Sequence, residues 1–203
     1  MKQAAYGKLY AEHYDIGTGD AQIVDFYLEL WRRLGRPAPV LEPMCGTGLK
    51  LIPFLQAGAE GDGLDASSFM LAVCRNKCEA KGLDCTLYEQ FVEQMALPRC
   101  YGFIFIPDRS FGHIHDKALA AECLRRIHDH LVPGGWLVLD VRPPASIDGF
   151  GRPGQALRLP LGLARPVQRA AGRVQLRDIL EVVRLARPPE LFEGVVGRLG
   201  RIE

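Results

Sequence analysis

The stretch Leu41-Glu42-Pro43-Met44-Cys45-Gly46-Thr47-Gly48 joins an acid to two closely spaced glycines at the end of a short apolar run. Glycines in such a turn remove side chains, so the backbone can approach a bound ligand closely. Dinucleotide enzymes use the same device, so the turn alone does not name the ligand. Glu42 narrows the choice, because a carboxylate there attracts an amino-acid ammonium group and repels a pyrophosphate. Leu51 stands where a dinucleotide site needs a third small residue, which disfavours a nicotinamide oxidoreductase. S-adenosylmethionine, with its ammonium and ribose, is the ligand these residues favour.

Asp65 lies 17 residues beyond Gly48, at the end of the next apolar run. A carboxylate there can accept protons from both ribose hydroxyls, and the same position suits capping of a helix that begins at Ser67. Met70 reads either as a soft wall beside the adenine or as plain core. For proton transfer, His113 in SFGHIHD leads and Asp108 comes second. An imidazole is an effective base near neutrality, although a His so placed also serves as a cap. His113/His115 and His128/His130 form HxH pairs without further ligands of suitable type, so no metal site is expected. The six cysteines contain no CxxC and read as reduced core thiols.

These residues need a scaffold, and the chain supplies strand, turn and helix in alternation. A helix is expected from Asp20, its N-cap, to Leu34, with Ile23, Tyr27, Leu30 and Leu34 on one face and Gly35 and Pro37 stopping it. Val40–Leu41 reads as a strand, followed by a helix through Leu51 and Leu55 to Gly58. Glu60–Leu64 is a second strand, and Ser67 caps a helix through Met70, Cys74 and Cys78 to Lys81. Cys85–Tyr88 is a third strand. Tyr101–Ile106, YGFIFI, has no polar face and must be a strand buried on both sides. Asp116 caps a helix whose inner stripe is Ala120, Leu124, Ile127 and Leu131. Pro133-Gly134-Gly135 then turns into a fifth strand, Trp136–Val141. Such alternation predicts an α/β fold, a Rossmann-like and mostly parallel sheet with helices on both faces.

VLEPMCGTG, GDGLDASSFMLAVCRNK, LYEQFVEQMALPRCYGFIFIP, SFGHI and HLVPGGWLVLDV follow in order across residues 40–141. Together they resemble the successive motifs of class I S-adenosylmethionine-dependent methyltransferases of the small-molecule type, whose first motif is EPxCGTG. The likeness covers about two-thirds of the chain and implies methyl transfer to an N or O nucleophile of a small molecule. By that resemblance Glu42, Met44, Gly46 and Gly48 line the methionine end of the cofactor. Asp65 holds the ribose, with Ala66 and Met70 beside the adenine. Gln90, Phe91 and Val92 occupy the adenine-amino turn, where Phe91 stands near the position of the usual acid. Pro107 and Ser110 lie where the methyl is exposed; an N-terminal segment with Tyr6, Tyr10, Tyr14 and Asp15 either folds over the cofactor, as the resemblance implies, or carries tyrosines that simply anchor it. The usual first glycine is replaced by Met44, after Pro43. No Asn/Asp-Pro-Pro-aromatic stretch follows the fourth strand, which disfavours the amino-directed nucleobase enzymes.

Composition bounds the rest. The chain has 203 residues, 48% hydrophobic and 24% charged, with a net charge of +1, as expected for one globular domain. No apolar run is long enough for a membrane span and the first ten residues lack a signal-peptide core, so the cytoplasm is the default location. Residues 1–141 carry 14 basic and 18 acidic side chains, whereas residues 142–203 carry 11 Arg, no Lys and 6 acids. That excess is too small to argue for nucleic acid. Three parts are expected: an N-terminal helical cap over 1–35, a Rossmann-like cofactor-binding core over 36–142, and a divergent or truncated segment over 143–203. Only Val174–Leu185 in the last part is clearly periodic, and reads as one more strand with a short helix. A missing final strand pair would expose the edge of the fifth strand and favour a homodimer there. It also keeps open a second reading, a degenerate protein that binds the cofactor without turnover.

Overall fold

The computed structural model describes residues 7–17, 21–140 and 180–184. Asp20, Tyr6 and Val141 lie outside these, as does most of the C-terminal segment. The order is α1 (Lys8–His13), α2 (Ala21–Arg33), β1 (Val40–Pro43), α3 (Leu51–Gln56), β2 (Gly61–Asp65) and α4 (Ser68–Ala80). There follow β3 (Thr86–Glu89), β4 (Tyr101–Ile106), α5 (Lys117–Asp129), β5 (Leu131–Asp140) and β6 (Leu180–Arg184). One six-stranded sheet runs β3-β2-β1-β4-β5-β6. Its first five strands are parallel, and β6 pairs antiparallel with β5. The β5 edge that the sequence reading left open is therefore covered, and the argument for a homodimer through it falls away.

Strand alternation sorts the core onto two faces. Val40, Phe103, Phe105 and Val138 face α2 and Phe54 of α3. Phe54 stacks on Phe105 with centroids 4.4 Å apart and meets Trp31 of α2 at 5.5 Å, an arrangement worth about 0.5–1.5 kcal/mol per pair beyond burial. Leu41, Ile104, Ile106, Leu137 and Leu139 pack with Ala120, Cys123, Leu124 and Ile127 of α5. All six residues of β4 are buried, as its lack of a polar face requires.

Caps bound the helices where the sequence placed them. Ser67 accepts from the Met70 amide and Asp116 from the Leu119 amide. Helix α2 ends in left-handed residues, Gly35 and Arg36, with the Trp31 indole donating to the Pro37 carbonyl at 3.0 Å. Two expectations change. Helix α1 precedes the helix expected to be first and already contains Tyr10. Leu131 does not extend the α5 stripe but opens β5, pairing with Tyr101. From that pair to Phe103–Trp136, β4 advances two residues while β5 advances five, so Pro133-Gly134-Gly135 forms a bulge inside the strand rather than a turn before it.

Candidate functional site

In a parallel sheet every strand delivers its carboxyl end to one edge, and ligands settle where strand order reverses. Here that point lies between β1 and β4. The carboxyl ends present Glu42 and Met44 from β1, Asp65 from β2, Gln90 after β3, Pro107 and Asp108 after β4, and Asp140 from β5. The candidate residues from separate motifs thus gather along one edge.

Glu42 is 3% exposed, and its Oε2 is the one buried side-chain oxygen or nitrogen without a hydrogen-bond partner among the described residues. Burial pushes its carboxyl well above the ordinary range, opposed by the nearby charge of Lys50 and by the Leu51 amide. Lys50 is itself buried and pairs with Asp108 Oδ2 at 2.8 Å. The Asp108 amide donates to Asp140 Oδ2 at 3.0 Å, and Tyr27 of α2 donates to Asp140 Oδ1 at 2.5 Å. Burial raises the Asp140 carboxyl too, while those two donors oppose the rise. Asp108 and Arg109 are both left-handed, at φ 59°. This charged chain pins the turn after β4 in that form.

The glycine turn is held differently, mostly by main chain. Met44, Gly46 and Gly48 all have positive φ, at 61°, 54° and 77°. A Cβ on Gly48 would fall 2.5 Å from the Cys74 sulfur, so the turn seats directly on α4 only because that side chain is missing. The Gly46 amide donates to Asp65 Oδ2 at 2.9 Å and the Ser67 amide to Oδ1 at 2.8 Å. Burial nevertheless raises the Asp65 carboxyl above its ordinary value. Asp65 thus ties the turn to the start of α4, and with the Ala66 amide also engaged its carboxylate keeps about one acceptor position for a hydroxyl donor. The Thr47 hydroxyl donates to Asp15 Oδ1 at 2.6 Å, and Lys77 pairs with Asp15 Oδ2 at 2.7 Å. Asp15 therefore clamps the N-terminal segment to the turn; next to it in the chain, the Tyr14 ring lies 5.6 Å from that of Tyr10.

Met70 is fully buried and Ala66 partly so. The Gln90 amide donates to the Asp65 carbonyl and its side chain accepts from the Ala96 amide, closing the loop that carries Phe91 and buried Val92. His113 is exposed at the end of the short 3-10 turn Ser110–His113. Asp108 was a candidate base, but its carboxylate is engaged by Lys50. Sequence reasoning missed Lys50, Tyr27, Asp140 and the Thr47–Asp15 bond. Asp140 had a usable signal, since it ends an apolar strand as Asp65 does. Lys50 had one as well, as the lone cation of an otherwise apolar run. The thiol expectation also changes: Cys100 is exposed, and Cys74, Cys78 and Cys85 converge instead of scattering.

The set of acceptors fits a ligand with an ammonium for the orphaned Glu42 oxygen and a hydroxyl for Asp65. Comparison with known proteins agrees in kind. Residues 40–135 match the family described as a methyltransferase domain. The chain is 27% identical over 144 residues to the dTDP-3-amino-3,6-dideoxy-alpha-D-glucopyranose N,N-dimethyltransferase of Streptomyces fradiae, covering 68% of this chain and 55% of that protein. It is 35% identical over 117 residues to the demethylmenaquinone methyltransferase of Thermus thermophilus, covering 57% and 52%. The solved glycopeptide N-methyltransferase MtfA, in complex with S-adenosyl-L-homocysteine, superposes with a TM-score of 0.54 at 26% identity over 67% of this chain and 61% of that one. The chain spans about half the length of the curated relatives it matches.

Proposed function

We propose, from the premise that this chain carries the Rossmann-like domain of the class I S-adenosylmethionine-dependent methyltransferases, that it transfers a methyl group to an amine of a small molecule. S-adenosylmethionine, when bound, supplies the electrophilic methyl on its sulfonium. The observation that carries the reading is the buried Glu42 oxygen without a partner at the switch point of the sheet. A buried unpaired carboxylate is costly, and an ammonium donor at that oxygen removes the cost.

Glu42 holds the amino-acid end, which the backbone of the turn at Met44, Gly46 and Gly48 lines. Asp65 accepts from the ribose, with Ala66, Met70, Gln90, Phe91 and Val92 around the adenine and Tyr14 covering the turn. Pro107 borders the reacting end. Methyl transfer is an in-line displacement, so the protein mainly positions the acceptor and excludes water. Asp108, fixed by Lys50, shapes the turn after β4 rather than moving a proton. His113 at the far end of that turn takes the proton that an amine must shed to attack or to leave neutral. An amine is preferred over a hydroxyl because the sugar-directed relative and MtfA are both N-methyltransferases; the quinone-directed relative does not share that acceptor.

Calorimetric titration with S-adenosylhomocysteine, followed by transfer assays on aminodeoxysugar nucleotides, peptide amines and their hydroxyl analogues, tests the reading. Binding with transfer to amines supports it. Transfer to hydroxyls or carbon alone overturns the amine assignment, and failure of the folded chain to bind overturns the cofactor assignment.

A further inference from the structure

Three of the six cysteines, from α4 and the segment leading into β3, meet behind the glycine turn, and a fourth lies in the turn itself. Cys74 and Cys78 stand one helical turn apart on α4, Cys85 leads into β3, and the three sulfurs lie within 4.8 Å of one another. Cys45, from the turn itself, shares a hydrogen bond with Cys74. The thiols of Cys78 and Cys85 bond to that same sulfur. The 2.5 Å approach of a Cβ at Gly48 to Cys74 places the cluster against the back of the turn.

We propose that Cys74, Cys78 and Cys85, with Cys45 as the fourth ligand, form a binding site for a thiophilic divalent metal ion of the zinc type. Filling a core does not require sulfur to meet sulfur. The same neighbourhood holds Leu51, Ile52, Leu55, Leu83 and Leu87, so more leucine would serve an ordinary apolar purpose. A tetrahedral site with metal–sulfur bonds of about 2.3 Å sets its sulfurs about 3.8 Å apart. Cys74, Cys78 and Cys85 therefore need contractions of about 1 Å or less per pair, and Cys45, which lies outside that group of three, must turn toward them from its contact with Cys74. Cys45, Cys74 and Cys78 are buried while Cys85 is half-buried, which gives an ion one side to enter from. Four sulfurs leave no open coordination position, so the bound ion is structural: it ties the turn to α4 and to the start of β3, with thiol protons released to solvent as the bonds form. The site does not depend on which cofactor the turn binds.

The test is anaerobic titration of the full, reduced chain with Co2+, read by thiolate-to-metal charge transfer and tetrahedral ligand-field bands, then displacement with Zn2+. Saturation at one cobalt per chain, with bleaching by one equivalent of zinc, is expected. Cys85→Ser, at a half-buried position that tolerates the change, should weaken binding at least tenfold, and Cys78→Ser should do the same. Cys100→Ser, exposed and bonded instead to the Asp129 carbonyl, should bind like the parent. Circular dichroism confirms that each variant is folded. Absence of thiolate bands in the folded reduced chain overturns the site, as do bands unchanged in Cys85→Ser or lost in Cys100→Ser.

Discussion

Two acids are buried in neighbouring strands of one sheet, and they are treated oppositely. Asp62 of β2 sits opposite Leu41, one residue from the pair Glu42–Gly63. It is 1% exposed yet fully served: Arg99 donates to both of its oxygens at 2.8 Å and Tyr101 adds a third bond at 2.7 Å. Arg99 also reaches Glu60. Glu42 is equally buried and keeps one oxygen without a partner. An acid that finishes its bonding within the fold is part of the fold. One that does not is poised for something the fold lacks.

Breaking the served acid should give the largest effect. Arg99→Met strands the Asp62 charge in the interior, and removal of one partner of a buried pair costs about 3–5 kcal/mol; equilibrium denaturation should show that loss while affinity for S-adenosylhomocysteine in the remaining folded protein stays within a few-fold. Asp108→Ala is next. It leaves the Lys50 ammonium buried beside Glu42 alone, and a loss of about 2–3 kcal/mol is expected, less than for Arg99 because Asp108 is 41% exposed. A parent-like denaturation midpoint for either variant would show that its ion pair is ornamental.

Glu42→Gln separates the two acids most sharply. Affinity for S-adenosylhomocysteine should fall tenfold or more, about 1.4 kcal/mol, with stability unchanged or higher because a costly charge is gone. The pH dependence follows from the raised Glu42 carboxyl. A group raised in the folded state contributes stability that is fully present below its unfolded value of 4.5 and lost as pH rises through its folded value. The parent should therefore lose stability relative to Glu42→Gln as pH climbs from below that value, and thermal melts of both across the range measure it. Glu122, exposed and held down to about 2 by Arg125 and Arg126, acts with the opposite sign but equally in both proteins, so it drops out of the difference. The smallest effect belongs to the clamp: Thr47→Val removes the bond to Asp15, and about 1 kcal/mol of stability with faster proteolysis before Gly17 is expected.

The sequence made the glycine turn after β1 legible and left the charged turn after β4 largely dark for a physical reason. Gly46, Gly48, Asp65 and the Ser67 cap act through local geometry, so their spacing along the chain carries their meaning. The six residues of β4 were fixed to both ends because YGFIFI can only be buried on two faces. Lys50, Asp108, Asp140 and Tyr27 act through contacts as much as 113 positions apart, and nothing local to Tyr27 distinguishes it from an ordinary stripe residue. Leu131 was misread because the helical period of α5 runs one step past its cap. The thiol cluster stayed hidden because each cysteine, taken alone, looks like core.

The double burial of β4 has a consequence for how the chain is made. Its partner β1 is synthesised roughly sixty residues earlier, but β5 and α5, which cover its other edge and one face, emerge only afterwards. For that interval a six-residue uncharged apolar strand is left with an open edge, and such segments pair readily with copies of themselves. Parallel pairings across long stretches of chain also close slowly. The yield of soluble protein will thus be governed by how fast translation carries the chain from Ile106 to Asp140, and by whether a chaperone holds that one strand in the meantime.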